Sequence, residues 1–70
     1  MTYGEKVNYL LEKHKCTIYA LSHKLGIAKS TLNALSKGIS ADIRSARNKA
    51  IIDDAVLSVN VRSIEIENNK

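Results

Sequence analysis

The sequence predicts an all-α fold, a compact bundle of five helices that forms a single domain over residues 1–70. Apolar residues recur three and four positions apart along most of the chain, which is the spacing of one face of an α-helix. Side chains that commonly cap helix N-termini precede these stretches, and glycines follow two of them. The chain has no proline and no linker rich in glycine or serine. The expected helices cover residues 4–14, 18–25, 29–37, 43–57 and 60–66.

The first expected helix opens with Thr2-Tyr3-Gly4-Glu5, which has the form of a capping box. In such a box the threonine hydroxyl and the glutamate carboxylate bond the free amides at the start of a helix. An apolar stripe at i, i+3, i+4 and i+7 follows and ends on a histidine, for which packing at the helix end is expected. The stripe consists of Val7, Leu10, Leu11 and His14.

The second and third expected helices are short and are separated by a tight turn at Gly26. Thr17 is in position to cap the second helix. Gly26 permits the positive φ that ends a helix within one residue, and Gly38 ends the third helix in the same way. Ile27 is expected to fill the space between the two helices. The expected inward positions of the pair are Ala20, Leu21, Leu25, Leu32 and Leu35.

The C-terminal part of the chain is predicted as a fourth helix and a short fifth one. Ser40 or Asp42 could cap the fourth helix. The segment 56–66 has an alternative as a strand, because its β-branched residues partly alternate. The alternation changes phase at Arg62-Ser63, which favours a short helix over 60–66. The expected inward positions of the fourth helix are Ile43, Ala46, Ala50, Ile51, Asp54 and Leu57.

The net charge of +4 comes entirely from the N-terminal part of the chain. Residues 1–40 hold six lysines against two glutamates, whereas residues 41–70 hold five basic and five acidic residues. A basic face of this kind suits a polyanion such as nucleic acid. A solvated, lysine-rich surface gives the same balance, so charge alone does not separate the two interpretations.

Few features of the sequence suit catalysis, metal binding or membrane insertion. No run approaches the roughly 18 apolar residues of a membrane span, and the N-terminal MTYGEK does not have the form of a secretory signal. Cys16 is alone and has no base placed beside it, while His14 and His23 belong to different expected helices. The sequence therefore predicts a cytoplasmic protein that is not an enzyme and that uses no cofactor, metal or small-molecule substrate.

The stretch from Thr17 to Gly38 combines two short helices, a glycine turn and a fixed spacing of apolar anchors. Written as Thr17-x3-Leu21-Ser22-x2-Leu25-Gly26-Ile27-x2-Ser30-Thr31-Leu32-x2-Leu35-x2-Gly38, it resembles the helix-turn-helix of phage repressor/Cro-type regulators.

This resemblance implies that the third helix enters the major groove of operator DNA while the second lies across the backbone. Three lysines would contact phosphates, and Asn33 is the best candidate for a bidentate contact with adenine. The residues expected to contact DNA are Thr17, Lys24, Lys29, Ser30, Thr31, Asn33 and Lys37.

The chain departs from the family pattern in three places. Ile18 stands where the family commonly has glutamine, Ala28 replaces the usual serine cap of the third helix, and Ala34 replaces an arginine on its exposed face. With Tyr19, these residues form an apolar set that suits a protein contact. The alternative is that Ile18 and Tyr19 fold back over Cys16 or the first helix.

Two functional hypotheses follow. In the first, the chain is a phage-type transcriptional regulator that binds double-stranded operator DNA as a dimer, with residues 59–66 as the interface between subunits. In the second, the same fold is a protein-interaction module that binds a partner phage repressor through Ile18, Tyr19, Ala28 and Ala34 and binds DNA weakly or not at all alone. Both hypotheses place the chain in the cytoplasm of a bacterial host.

Overall fold

The computed structural model describes residues 1–39 and 43–68, and it describes side chains as far as residue 60. Over these residues the chain forms four α-helices and no strand, so the predicted all-α class is confirmed. The helices are α1 (Tyr3–His14), α2 (Ile18–Leu25), α3 (Lys29–Ser36) and α4 (Ala46–Asn68). The radius of gyration is 12.4 Å, close to the about 11 Å of a compact chain of this length. No helix in this part of the chain has an apolar stretch long enough to cross a bilayer.

The predicted capping box starts α1. Thr2 Oγ1 accepts a hydrogen bond from the Glu5 amide at 3.1 Å, and the Thr2 amide donates to Glu5 Oε1 at 3.1 Å. The bond from the Thr2 backbone is the main reason that the pKa of the Glu5 carboxyl is lowered. At the other end, Lys15 adopts a left-handed conformation with φ of 50°. The Cys16 amide then donates to the Leu11 carbonyl at 3.2 Å, which closes the helix.

Local chemistry also bounds α2 and α3 as predicted. Thr17 Oγ1 accepts from the Ala20 amide at 3.2 Å and caps α2. Gly26 ends α2 with φ of 70°, and its amide donates to the Ser22 carbonyl at 2.9 Å. At the end of α3, Gly38 has φ of 75° and the following amide, of Ile39, donates to the carbonyl of Ala34 at 2.9 Å. This pair of features is the Schellman motif, which satisfies carbonyls at a helix C-terminus.

The prediction of separate helices at 43–57 and 60–66 is wrong, and so is the strand alternative for 56–66. One helix, α4, runs from Ala46 to Asn68. It is capped by Ser45, whose Oγ accepts from the Asn48 amide at 3.2 Å; the predicted caps Ser40 and Asp42 lie outside the described residues. Residues 43–68 contain no glycine or proline. Their β-branched residues each disfavour a helix by only a few tenths of a kcal/mol, which does not stop it.

The later start and the contacts with α1 change which face of α4 is buried. Ile52 is fully buried, whereas Leu57, predicted to face inward, is 60% exposed. Ala46, Ala50 and Asp54 are exposed as well. In the other helices Ala20 is exposed, in contrast to its predicted inward position, whereas Leu25 is half-buried and packs against the core, as predicted. The buried core consists of Val7, Leu10, Leu21, Ile27, Leu32, Leu35, Ile43 and Ile52.

The start of α1 lies directly against the end of α3. A Cβ on Gly4 would come within 2.4 Å of the Leu35 carbonyl oxygen, so glycine is required for this approach. One turn later, Asn8 Nδ2 donates to the Ser36 carbonyl at 3.1 Å, and the Ser36 hydroxyl donates to Asn8 Oδ1 at 2.5 Å. These contacts attach α3 to α1, on the side of α3 that faces α1.

Polar contacts between α1 and α4 fix the fourth helix. Lys6 Nζ lies 2.6 Å from Asp53 Oδ1, and the Tyr3 hydroxyl donates to Asp53 Oδ2 at 3.0 Å. The ion pair raises the pKa of the Lys6 ammonium and lowers the pKa of the Asp53 carboxyl. Two turns along α4, Asn60 Oδ1 accepts from the Tyr9 hydroxyl at 2.7 Å. The exposed Asp53 is therefore a structural contact rather than a free surface charge.

Candidate nucleic-acid and partner interface

The start of α3 is open to solvent, and its opposite side packs into the core. Its first residues, Lys29 and Ser30, are exposed, and Leu32 and Leu35 anchor the opposite side in the core. A turn of three residues, Gly26 to Ala28, separates α3 from α2. Ile27 in this turn is 3% exposed, and the Ser22 hydroxyl donates to its carbonyl at 2.6 Å. The turn is thus fixed from both helices, and it sets the direction in which α3 leaves the core.

Two open clefts flank α3. The α2–α3 cleft, of about 490 Å³, lies between the starts of the two helices. The α3–α4 cleft, of about 440 Å³, lies between α3 and the segment that leads into α4. Ser30 lines both clefts, so α3 forms a ridge between them. The α2–α3 cleft is lined by Thr17, Ile18, Tyr19, Lys29, Ser30 and Asn33. Polar residues of the α3–α4 cleft are Ser30, Thr31, Arg44, Ser45 and Asn48.

The region around the ridge carries positive charge and no negative charge. Residues 13–39 contain five lysines and two histidines, and neither aspartate nor glutamate. Among the described residues the ion pair is that of Lys6 with Asp53, which lies between α1 and α4. The lysines of the α2–α3 pair therefore have no carboxylate partner in this part of the chain. Within residues 13–39, an anion that approached α3 would meet no acidic side chain.

Five of the seven residues predicted to contact DNA line one or both clefts beside the ridge. Lys29 and Ser30 are exposed at its start, and Thr31 and Asn33 are half-buried in opposite clefts. Thr17 is exposed, and its hydroxyl already caps α2. The remaining two, Lys24 and Lys37, are exposed near the C-terminal ends of α2 and α3 and line neither cleft.

The residues predicted to contact a partner protein do not form one patch. Tyr19 is 62% exposed. Ile18 is half-buried and packs against the core. Ala28 is exposed before α3 and gives the helix no side-chain cap, while Ala34 lines the α3–α4 cleft. Ile18 and Tyr19 therefore lie on one side of α3 and Ala34 on the other, while Ala28 lines neither cleft.

Tyr19 is the centre of a small exposed cluster that the sequence did not reveal. Its ring and that of His23 lie edge to face with centroids 4.6 Å apart. Lys29 Nζ lies 5.9 Å from the centre of the Tyr19 ring. His23 follows Tyr19 by four residues on α2, a spacing that could have indicated the pair. The contact of the Tyr19 ring with Lys29 of α3 depends instead on how α2 and α3 pack.

Arg44 is a functional candidate that sequence reasoning missed. The sequence predicts a helix that begins at residue 43, and Arg44 is neither among its inward positions nor among the predicted DNA contacts. The structure instead places it before the start of α4, where it is exposed and lines the α3–α4 cleft with Asn48. Only the position of this segment against α3 brings it near the predicted DNA contacts.

No group of three or more histidines, cysteines, aspartates or glutamates in the described part of the chain could hold a metal. Cys16 is a half-buried free thiol.

A comparison of the chain with models of protein families, with curated proteins and with solved structures gave no match. The functional interpretation therefore depends on the residues of the two clefts and the ridge between them.

Proposed function

We propose that this chain is a small phage-type transcriptional regulator in which α2 and α3 act as a helix-turn-helix on operator DNA. The observation that carries the proposal is the exposed ridge of α3, which has cationic and hydrogen-bonding side chains and no carboxylate in the surrounding residues 13–39. The resemblance of residues 17–38 to the helix-turn-helix of phage repressor/Cro-type regulators supports the same conclusion. The regulator would work in the cytoplasm of a bacterial host.

The dimensions of α3 suit this mode of binding. A helix of eight residues is about 12 Å long, comparable with the about 12 Å width of the major groove. Asn33 would read adenine, and Ser30 at the crest is short enough to let the backbone approach base edges. Phosphates on the two sides of the groove would meet Lys29 in one cleft and Arg44 in the other.

A single copy of the chain has a small contact area, so useful affinity calls for two copies on half-sites about 34 Å apart. The C-terminal half of α4, which contains the segment 59–66 predicted to join subunits, is the candidate for this contact. The exposed Leu57 lies beside it on the same helix.

A mobility-shift assay on the promoter region of the chain's own operon tests the proposal. Replacement of Lys29 or Arg44 with alanine should weaken binding and reduce the slope of log affinity against log salt by about 1. Asn33→Ala should weaken the specific complex by about 1 to 3 kcal/mol without changing that slope. Lys13→Ala is the matched control, because it removes one lysine charge from the exposed side of α1. The proposal fails if no shift occurs at low salt, or if Lys13→Ala and Lys29→Ala weaken binding equally.

The second candidate function is a modulator of repression, which acts on a phage repressor rather than on DNA, as in lactococcal temperate phages. It is favoured by the 62% exposure of Tyr19 and by the lack of a side-chain cap at Ala28. It predicts a stable complex when the chain is co-expressed with the neighbouring repressor. Tyr19→Asp should abolish copurification, whereas Leu57→Asp, at a comparably exposed apolar position on α4, should not. Equal recovery of repressor with both variants would exclude Tyr19 from the contact.

A further inference from the structure

The α2–α3 cleft has two walls of different chemistry. The wall from the start of α2 is largely apolar, with the half-buried Ile18 and the exposed Tyr19 beside the capping residue Thr17. The other belongs to α3 and presents the ammonium of Lys29, the hydroxyl of Ser30 and the amide of Asn33. A ligand that fills this cleft must therefore offer an apolar group and a hydrogen-bonding or charged group side by side.

The charge on that ligand is negative. Lys29 has no ion pair with any described residue, and its contact there is with the Tyr19 ring at 5.9 Å. Residues 13–39 contain no acidic residue that could compete for it. A carboxylate beside Lys29 would be partly shielded from water by Tyr19, and lower solvent exposure strengthens a charge–charge interaction.

The apolar wall favours a protein over a duplex as the ligand. The edge of duplex DNA presents phosphates and sugars, so contact there would use Lys29 and leave the Tyr19 ring and Ile18 without an apolar partner. An acidic side chain with an aliphatic neighbour supplies both groups at once, and tyrosines are enriched in protein interfaces for such mixed contacts.

We propose that the α2–α3 cleft binds an acidic segment of a partner protein, with a carboxylate at Lys29 and a neighbouring aliphatic side chain against Tyr19. The proposal rests on the second candidate function and names the chemistry of its partner. It has one consequence for regulation. Because Ser30 lines both clefts, a segment seated in the α2–α3 cleft covers the ridge of α3, and partner and operator DNA exclude each other.

The test is selection of displayed random dodecapeptides on the immobilised full chain, followed by titration of the synthetic consensus peptide. We expect the consensus to contain aspartate or glutamate next to leucine, isoleucine or valine. Lys29→Ala and Tyr19→Ala should each weaken its binding at least about threefold. Lys13→Ala should leave binding unchanged, and it is a close control because Lys13 Nζ likewise lies 5.6 Å from the Tyr9 ring.

A double-mutant cycle identifies the carboxylate contact. Replacing the acidic residue of the peptide with its amide should weaken binding to the native chain and have little further effect on Lys29→Ala. A duplex that binds the chain should displace the peptide. A consensus without acidic residues, equal losses for Lys13→Ala and Lys29→Ala, or a peptide that remains bound with the duplex would each overturn the proposal.

The same experiments separate this proposal from the DNA-binding function. A chain that shifts promoter DNA but selects no acidic peptide refutes the cleft proposal and leaves the DNA-binding regulator standing. A chain that selects acidic peptides through Lys29 and shifts no DNA supports the cleft proposal and refutes direct DNA binding.

Discussion

Replacing Lys15 with glycine is expected to stabilise the chain by about 1 kcal/mol. Lys15 ends α1 with φ of 50° and ψ of 49°, and among the described residues it is the one non-glycine residue with a positive φ. A side chain in this left-handed conformation costs roughly 1 to 2 kcal/mol, which glycine avoids. Glycine also gives the unfolded chain more freedom, and this offsets part of the gain.

Two further variants isolate the backbone effect from the loss of charge. Lys15→Ala removes the same ammonium and keeps the strain, so the difference between glycine and alanine at this position measures the conformation alone. Gly38→Ala is the reverse experiment, since Gly38 has φ of 75° and an added Cβ would meet nothing within 4 Å. It should destabilise the chain by about 1 kcal/mol without a steric contribution.

Thermal and urea unfolding, followed by circular dichroism at 222 nm, measure these differences. In a domain of this size, 1 kcal/mol corresponds to a change in Tm of about 4 to 8 °C. The order of stability should be Lys15→Gly above the native chain, with Gly38→Ala below it. If Lys15→Gly is no more stable than Lys15→Ala, the left-handed conformation at the end of α1 does not carry the strain inferred for it.

Four other substitutions test the packing of α1, α3 and α4, each by its free energy of unfolding. Gly4→Ala should destabilise the chain by about 1 to 2 kcal/mol despite the better helix propensity of alanine, because the Cβ would overlap a carbonyl of α3; an unchanged midpoint would mean that α1 can shift freely. Ile52→Ala should cost about 2 to 5 kcal/mol and Leu57→Ala about 0.5 kcal/mol, and equal costs would contradict the register of α4. Asp53→Asn should lower the urea midpoint by a constant amount between about pH 5 and 10, because the pKa of Asp53 is lowered and that of Lys6 raised in the folded state. That difference should shrink below about pH 4, as Asp53 is protonated, and a difference that does not decrease as the pH falls below about 4 would exclude the ion pair as its cause.

The parts of the fold that could be predicted from the sequence are those set by neighbouring residues. The capping box of Thr2 and Glu5, the cap by Thr17 and the left-handed turn at Gly26 each depend on chemistry within four positions of the chain. Lys15 has the same role at the end of α1 and was not predicted, because lysine carries no sign of a left-handed conformation. Local signals therefore gave these helix ends correctly, and the conformation of Lys15 was not among the features they revealed.

Features that depend on distant contacts were not predictable in the same way. The apolar spacing in α4 fits more than one register, and only packing against α1 separates the buried Ile52 from the exposed Leu57. The close approach of Gly4 to Leu35 joins residues 31 positions apart, and nothing near Gly4 in the sequence signals it. Arg44 became a candidate for the same reason, since the α3–α4 cleft exists only once the segment before α4 lies against α3.

The contacts that stabilise the fold lie away from the surface proposed to bind a ligand. α3 packs closely against Gly4 of α1 and is bonded to it through Asn8 and Ser36. α4 is bonded to α1 through the ion pair of Lys6 with Asp53. Lys29 and Tyr19 take part in none of these bonds, and both are exposed. Substitution at either position should therefore change affinity with little effect on the free energy of unfolding. Loss of binding by Lys29→Ala or Tyr19→Ala, at an unchanged unfolding midpoint, thus reports on the ligand itself, and the identity of that ligand decides between operator DNA and an acidic partner.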